Sequence, residues 1–154
     1  MTDNSRRRFL KGTLLGALWG MALYLPRLAV AAWPTEAFRE RSSHGALRAL
    51  FGDGQTIEAG DKIQLSITDL AENGAVVPIT IESSLPQAES ILILVEKNPS
   101  ALVAHFKLGP NVHPFIKTNI KMAQTSHVTA VVVAGGKRYS TRKKVKVVLN
   151  GCGN

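Results

Sequence analysis

From Asp61 onward, apolar side chains recur at every second position, and that rhythm restricts the chain to β structure. In "KIQLSIT", Ile63, Leu65 and Ile67 share one face, with Gln64, Ser66 and Thr68 opposite. In "VVPITIES", Val77, Ile79 and Ile81 share a face, and Pro78 marks an edge or a bulge. "SILILVEK" is apolar without a break, so it predicts a central strand buried on both faces. "ALVAHFKL" follows the Asn98-Pro99 turn, and "FIKTNIKM" is a weaker strand. Asn73-Gly74 signals a turn before the second of these runs.

The last two runs predict a hairpin. "SHVTAVVVA" and "KRYSTRKKVKVVL" flank Gly135-Gly136, a pair able to adopt the backbone of a two-residue turn. In the final strand Val145, Val147 and Leu149 point one way, and Lys144 and Lys146 the other. About seven strands with closely spaced turns predict a mainly β, immunoglobulin-like antiparallel β-sandwich. A short N-terminal helix precedes it in "PTEAFRERSSHGALRALFG". There Thr35 is placed to cap, Gly45 weakens the middle, and Phe38, Leu47 and Leu50 can face a sheet. Taken together, "SILILVEK" and "ALVAHFKL" carry more apolar surface than one small two-layer domain needs. That surplus predicts a sheet face covered by a partner subunit.

The first thirty-two residues read as an export leader rather than as part of the fold. A basic cluster precedes an apolar stretch from Gly12 to Leu25, and small residues follow at "AVAA". The stretch is shorter than the ~20 residues that span a bilayer, which argues against stable membrane insertion. Ser5-Arg6-Arg7-Arg8-Phe9-Leu10-Lys11 matches the twin-arginine export pattern, with Arg6, Arg7, Phe9, Leu10 and Lys11 as its key positions. Such a signal implies a periplasmic protein exported already folded, cleaved after Ala31 or Ala32. The expected layout is a signal peptide over 1–32, a sandwich domain over 33–149 and a mobile C-terminal arm over 150–154.

Removing the leader also corrects the charge. The formal net charge is +8, from nineteen basic and eleven acidic residues. The leader holds five of the former and one of the latter, so fourteen against ten remain, a balance of +4. That mild excess does not point to nucleic acid.

The sole cysteine, Cys152, stands in "NGCGN" at the C-terminus, between Gly151 and Gly153. One cysteine excludes an internal disulfide and a multi-cysteine metal site. A lone thiol in an oxidising compartment calls for a covalent partner or a covalent cargo. The two glycines free the backbone around it. A model thiol has a pKa near ~8.5, and the C-terminal carboxylate disfavours its thiolate further. With no base near it in sequence, Cys152 reads as a handle rather than a catalytic nucleophile.

These residues carry a family likeness. "IKTNIKMAQTSHVTAVVVAGGKRYSTRKKVKVVLNGCGN", "EKNPSALVAHFKLGP" and "LAENGAVVPITIES" resemble the SoxY family, the sulfur-carrier subunits of the periplasmic thiosulfate-oxidising complex. The resemblance runs from about Leu70 to the end, and that family too uses a twin-arginine leader. It implies a heterodimer with a SoxZ-like subunit and sulfur intermediates held covalently on Cys152, with no other cofactor. It also implies transient contacts with haem-containing, sulfate-releasing and sulfane-oxidising Sox enzymes. Gly151 and Gly153 would let Cys152 visit each active site, and the carrier itself would catalyse nothing. The usual family ending is Gly-Gly-Cys-Gly-Gly, and here Asn150 and Asn154 replace the outer glycines.

Other readings compete. A non-catalytic periplasmic binding module could use Cys152 for an intermolecular disulfide or for another sulfur cargo. His44, His105, His113 and His127 form no paired motif, so they read as surface or packed residues and not as metal ligands. The basic run "KRYSTRKK" reads either as a solvated edge that resists aggregation or as a site attracting anionic cargo or an acidic partner face.

Overall fold

The computed structural model describes residues 34–148. Within them lie two short helices, α1 (Thr35–Arg39) and α2 (Ser43–Phe51), and nine strands. The strands are β1 (Thr56–Glu58), β2 (Ile63–Ile67), β3 (Leu70–Ala71), β4 (Val77–Ser83), β5 (Ala88–Val95), β6 (Leu102–Lys107), β7 (Phe115–Ile120), β8 (Ser126–Ala134) and β9 (Lys137–Val147). A large sheet has the order β1-β9-β8-β5-β6, with β3 also paired to β9, and a small sheet has the order β2-β4-β7. The two pack face to face as a sandwich.

All seven strands read from the period-two pattern are present. Along β4 buried and open positions alternate, and Val77, Ile79 and Ile81 point inward at 2% exposure or less. Their partners across the sandwich are Ile91, Ile93 and Val95 of β5, Val128, Ala130 and Val132 of β8, and Val145 of β9. Pro78 corrects the expectation of an edge strand or a bulge: β4 is the central strand of its sheet, and Pro78 is tolerated as its second residue because the β2 ladder stops at Ile79 and leaves Pro78 facing only Asn119 of β7. Gly135 and Gly136 close the β8–β9 hairpin with φ of 56° and 69°, a left-handed pair that favours glycine.

β5 is central and buried on both faces. Its second face carries Leu92 and Leu94, which join Leu102, Val131 and Val133 in a separate apolar cluster. Ala37, Ala46, Phe38, Leu47 and Leu50 of α1 and α2 pack over that cluster. The chain therefore covers its own apolar surplus. This corrects the expectation that a partner subunit covers that face: the two short helices occupy it.

The helical preface is broken into two. Pro34 takes the cap position of α1, and Thr35 is its first helical residue. α1 ends at Arg39, with Glu40 already extended. Ser42 then caps α2, its hydroxyl accepting the Gly45 amide at 3.0 Å. Gly45 lies in the first turn of α2, where an added Cβ would meet the Glu40 carboxylate and lie 2.9 Å from the Ser42 hydroxyl. Its place is a close approach at a helix start rather than a weak helix middle. The linker is tied down where the Ala101 amide donates to the Glu40 carbonyl at 2.9 Å and the Ser100 hydroxyl to the Phe38 carbonyl at 2.6 Å.

The two shortest strands, β1 and β3, run parallel to β9, whereas every other pairing is antiparallel. β1 pairs with the first part of β9 and β3 with its last two residues.

Candidate functional site: the root of the C-terminal arm

Cys152, Gly151 and Gly153 lie outside the described residues, as do Arg6, Arg7, Phe9, Leu10 and Lys11. What the structure describes is the platform from which the C-terminal segment departs.

That platform holds the end of β9 on both edges. The Lys146 amide donates to the Asp69 carbonyl at 2.9 Å, and the Val148 amide to the Ala71 carbonyl at 3.0 Å. Between them, the Val147 amide donates to the Thr125 hydroxyl at 3.0 Å. Three successive amides are thus satisfied up to the last described residue. β3 supplies the Ala71 acceptor, and Asp69, just before the strand, supplies the other backbone one. The Thr68 hydroxyl shapes its approach by accepting the Leu70 amide at 3.2 Å and donating to the Leu70 carbonyl at 2.8 Å.

The turn after β3 closes against the same spot. Asn73 Oδ1 accepts the Ala75 amide at 2.8 Å, and the Met122 amide donates to the Gly74 carbonyl at 2.7 Å. A Cβ at Gly74 would strike the Met122 carbonyl oxygen and come within 2.9 Å of Val147 Cγ1. Glycine is required here by the close passage of three chain segments. Beside them lies an open cavity of about 480 Å³ lined by Glu72–Ala75, Met122, Val147 and Val148. Leu70, Val76 and Val148, each about half exposed, leave an apolar rim at this end of the sandwich.

A larger cavity, about 730 Å³, lies between the 85–89 and 108–114 segments. Strand register puts it at the opposite end. Ala88 pairs with Ala134 and Ser90 with Lys107, whereas Val95 pairs with Val128 and Ser126 with Val145. β9 separates the two ends by about 33 Å at strand rise. Four residues of chain from Val148 to Cys152 span at most ~14 Å. The larger cavity is therefore out of reach of the thiol of the same chain.

Charge is unevenly disposed on β9. Lys143 bridges inward, its Nζ donating to the Ile67 carbonyl at 2.8 Å and pairing with Asp69 at 3.1 Å. Arg142, Lys144 and Lys146 lie exposed on the outer face and form no ion pair among the described residues. The histidines are dispersed. His113 pairs with Glu82 at 3.0 Å and His127 with Glu96 at 3.3 Å. His105 stands edge-on to Phe51, with centroids 6.1 Å apart. Burial, aided by the Lys107 charge, holds the His105 imidazole below its ordinary value. Among the described residues no three His, Cys, Asp or Glu side chains gather as a metal site.

Comparison with known proteins identifies the relationship. The family model for the sulfur oxidation protein SoxY matches residues 47–152. The chain belongs to the SoxY family. Its matched span runs from the middle of α2 through every strand and ends on Cys152. The sulfur carrier protein SoxY from Chlorobium limicola f thiosulfatophilum is 38% identical, covering 68% of this chain and 94% of that one with a TM-score of 0.61. Two variants of the superoxide reductase neelaredoxin from Ignicoccus hospitalis share 12% identity and cover 56% of this chain and 80% of theirs. Their TM-scores of 0.51 and 0.50 show a shared sandwich fold and nothing of chemistry. No curated protein matches the chain significantly. As a SoxY-family protein, the chain has the expected sandwich and helical preface. The parts sequence reasoning missed are β3, the Thr125 acceptor and the Gly74–Met122 contact. Of these only "ENG" left a signal, as an Asn-Gly turn.

Proposed function

We propose that this chain is a covalent sulfur carrier of thiosulfate oxidation, which bears its cargo on Cys152 and is itself not an enzyme. The observation that carries the reading is the SoxY family match, whose span ends on the chain's sole cysteine. The similar Chlorobium limicola protein is a sulfur carrier. The firmly bonded end of β9 supports the same reading, because a handle needs a fixed base close to the reactive atom.

The chemistry needs no base on this chain. In loading, the thiol and thiosulfate form an S–S bond, Cys–S–S–SO₃⁻, releasing one proton and passing two electrons to a haem-containing partner. Water then cleaves the terminal S–S bond in a second partner, releasing sulfate and leaving a persulfide for a sulfane-oxidising enzyme. Gly151 and Gly153 present little side-chain bulk to such sites. Asn150 and Asn154 stand where the family carries glycine, and they add bulk at the arm's two ends. We further propose a heterodimer with a SoxZ-like subunit, export by the twin-arginine route and a periplasmic location, on the strength of the family and of the leader Arg6-Arg7-Arg8-Phe9-Leu10-Lys11. Because α1 and α2 already cover the outer apolar cluster, that subunit would bind elsewhere on the sandwich.

Intact mass spectrometry tests the carrier reading. Mature protein is purified without reductant from thiosulfate-fed cells, beside a Cys152→Ala control. Adducts of added sulfur or thiosulfate, absent from the control, are expected. A bare thiol would refute the reading, and a homodimer linked only through Cys152 would favour the disulfide-module alternative.

A further inference from the structure

We propose that Arg142, Lys144 and Lys146 form a docking strip for an acidic protein surface, the rim of the opening through which a partner enzyme admits the arm. The proposal rests on the carrier reading and names the partner chemistry of that same site.

The strip follows from strand geometry. Alternate residues of β9 share a face, so these three cations stand in line over about 13 Å. Register places Lys144 beside His127 and Arg142 beside Thr129, on the face that carries α1 and α2; Arg142 borders α2 across a cavity shared with Ser43 and Leu47, and Lys144 and Lys146 stand further along the strand toward the arm. Lys143 points the other way and is neutralised by Asp69. The acids nearest the strip are Glu72, exposed just after β3 beside the end of β9, and Glu58 and Glu96 near Arg142. Glu96 pairs with His127, and Glu58 and Glu96 line a shallow cavity of about 330 Å³ under α2 together with Arg142. Lys144 and Lys146 form no ion pair among the described residues. Holding three like charges in a row costs self-repulsion in the free molecule, and an opposing charge removes that cost.

Reach decides what meets the strip. An enzyme that takes Cys152 into its site must bring its rim within four residues of Val148, at most ~14 Å. Lys146 and Lys144 stand about 7 and 13 Å back along the strand from Val148, distances comparable with the ~8 Å Debye length of physiological salt. Every partner that receives the arm therefore approaches the same three cations. An acidic rim is steered and oriented by them, and a basic rim is repelled.

The test follows loading of the full mature chain by a periplasmic extract of thiosulfate-grown source cells deleted for this chain. Adducts on Cys152 are timed by intact mass spectrometry from about 20 to 200 mM NaCl, a range over which screening grows strongly. Wild type is compared with Arg142→Glu/Lys144→Glu/Lys146→Glu and with the milder triple glutamine variant. A control replaces Lys62, Lys107 and Lys117 with glutamine, all exposed and away from the arm root. The glutamine strip variant should load roughly tenfold slower at low salt, as lost steering predicts, and should lose most of the wild type's salt dependence. The control should load like wild type. Tetrathionate supplies a partner-free reaction, in which the thiolate displaces thiosulfate and leaves the same Cys–S–S–SO₃⁻ adduct. That rate should be unchanged in the strip variants. Equal slowing in both reactions would mean that the strip only gathers small anions, and would overturn the proposal. Normal enzymatic loading of the glutamine variant would also overturn it while the carrier reading stood. Absence of any adduct on wild type would bring down both.

Discussion

Gly74 shows how one missing carbon can shape a site. Its carbonyl accepts the Met122 amide, and its Cα sits where a Cβ would strike the Met122 carbonyl and crowd Val147. Gly74→Ala must push apart the β3–β4 turn and the segment after β7, or displace the end of β9. We expect a loss of about 1–3 kcal/mol, the usual cost of overpacking, read from urea unfolding midpoints. The same variant should expose the Val147 and Val148 amides to faster hydrogen exchange, while amides at the hairpin end keep their protection. Asn73-Gly74 was legible as a turn, but the reason for its glycine was not. That reason lies at Met122 and Val147, far along the chain, and no local pattern encodes a meeting of remote backbones. Cys152 is the opposite case: a sole thiol between glycines is a property of sequence alone, and it lies outside the described residues.

Among the elements, the strands were legible wherever they were long enough to show a period. β2, β4, β8 and β9 alternate or run apolar over five residues or more, and the sequence marks each of them. β1 and β3 have three and two residues, too few for any rhythm, and both are defined by parallel pairing to β9. The helical preface was legible as apolar positions at helical spacing, but its break was not, because no glycine or proline stands between Arg39 and Ser42. Its role became clear only from packing. α1 and α2 form the lid that "SILILVEK" needs, so damage under the lid should be costly. Leu94 is fully buried there. Leu94→Ala should lower stability by about 2–5 kcal/mol, the range for a buried leucine truncation. A calorimetric melt checks this, and a loss below about 1 kcal/mol would mean that the helices are loosely held.

At the scale of the whole molecule, stability should respond to acid partly through His105. Its imidazole sits below the ordinary value, mainly because burial disfavours the charged form and secondarily because Lys107 repels a second cation. The unfolded chain, with a histidine value near ~6.5, then binds the proton more readily than the folded one. Folding stability is therefore full above that value and declines as the pH falls through it toward the lowered folded value. His105→Gln should be less sensitive to that step, so the stability difference between wild type and variant should change between about pH 7.5 and pH 5.5. Chemical denaturation at several pH values measures it, and a constant difference would remove His105 from the account.

The bonded end of β9 also sets a concentration. With Lys146, Val147 and Val148 fixed by three hydrogen bonds, Cys152 is tethered four residues from a stationary point. A short tether of that kind keeps its end group at millimolar effective concentration or above near the anchor, whatever the protein's abundance in solution. On the proposed carrier role, an enzyme resting on the arm's root would meet one thiol at a density that free thiosulfate adducts in dilute solution would not supply. Abundance then governs how often partners meet, and the tether governs how soon sulfur is delivered once they have.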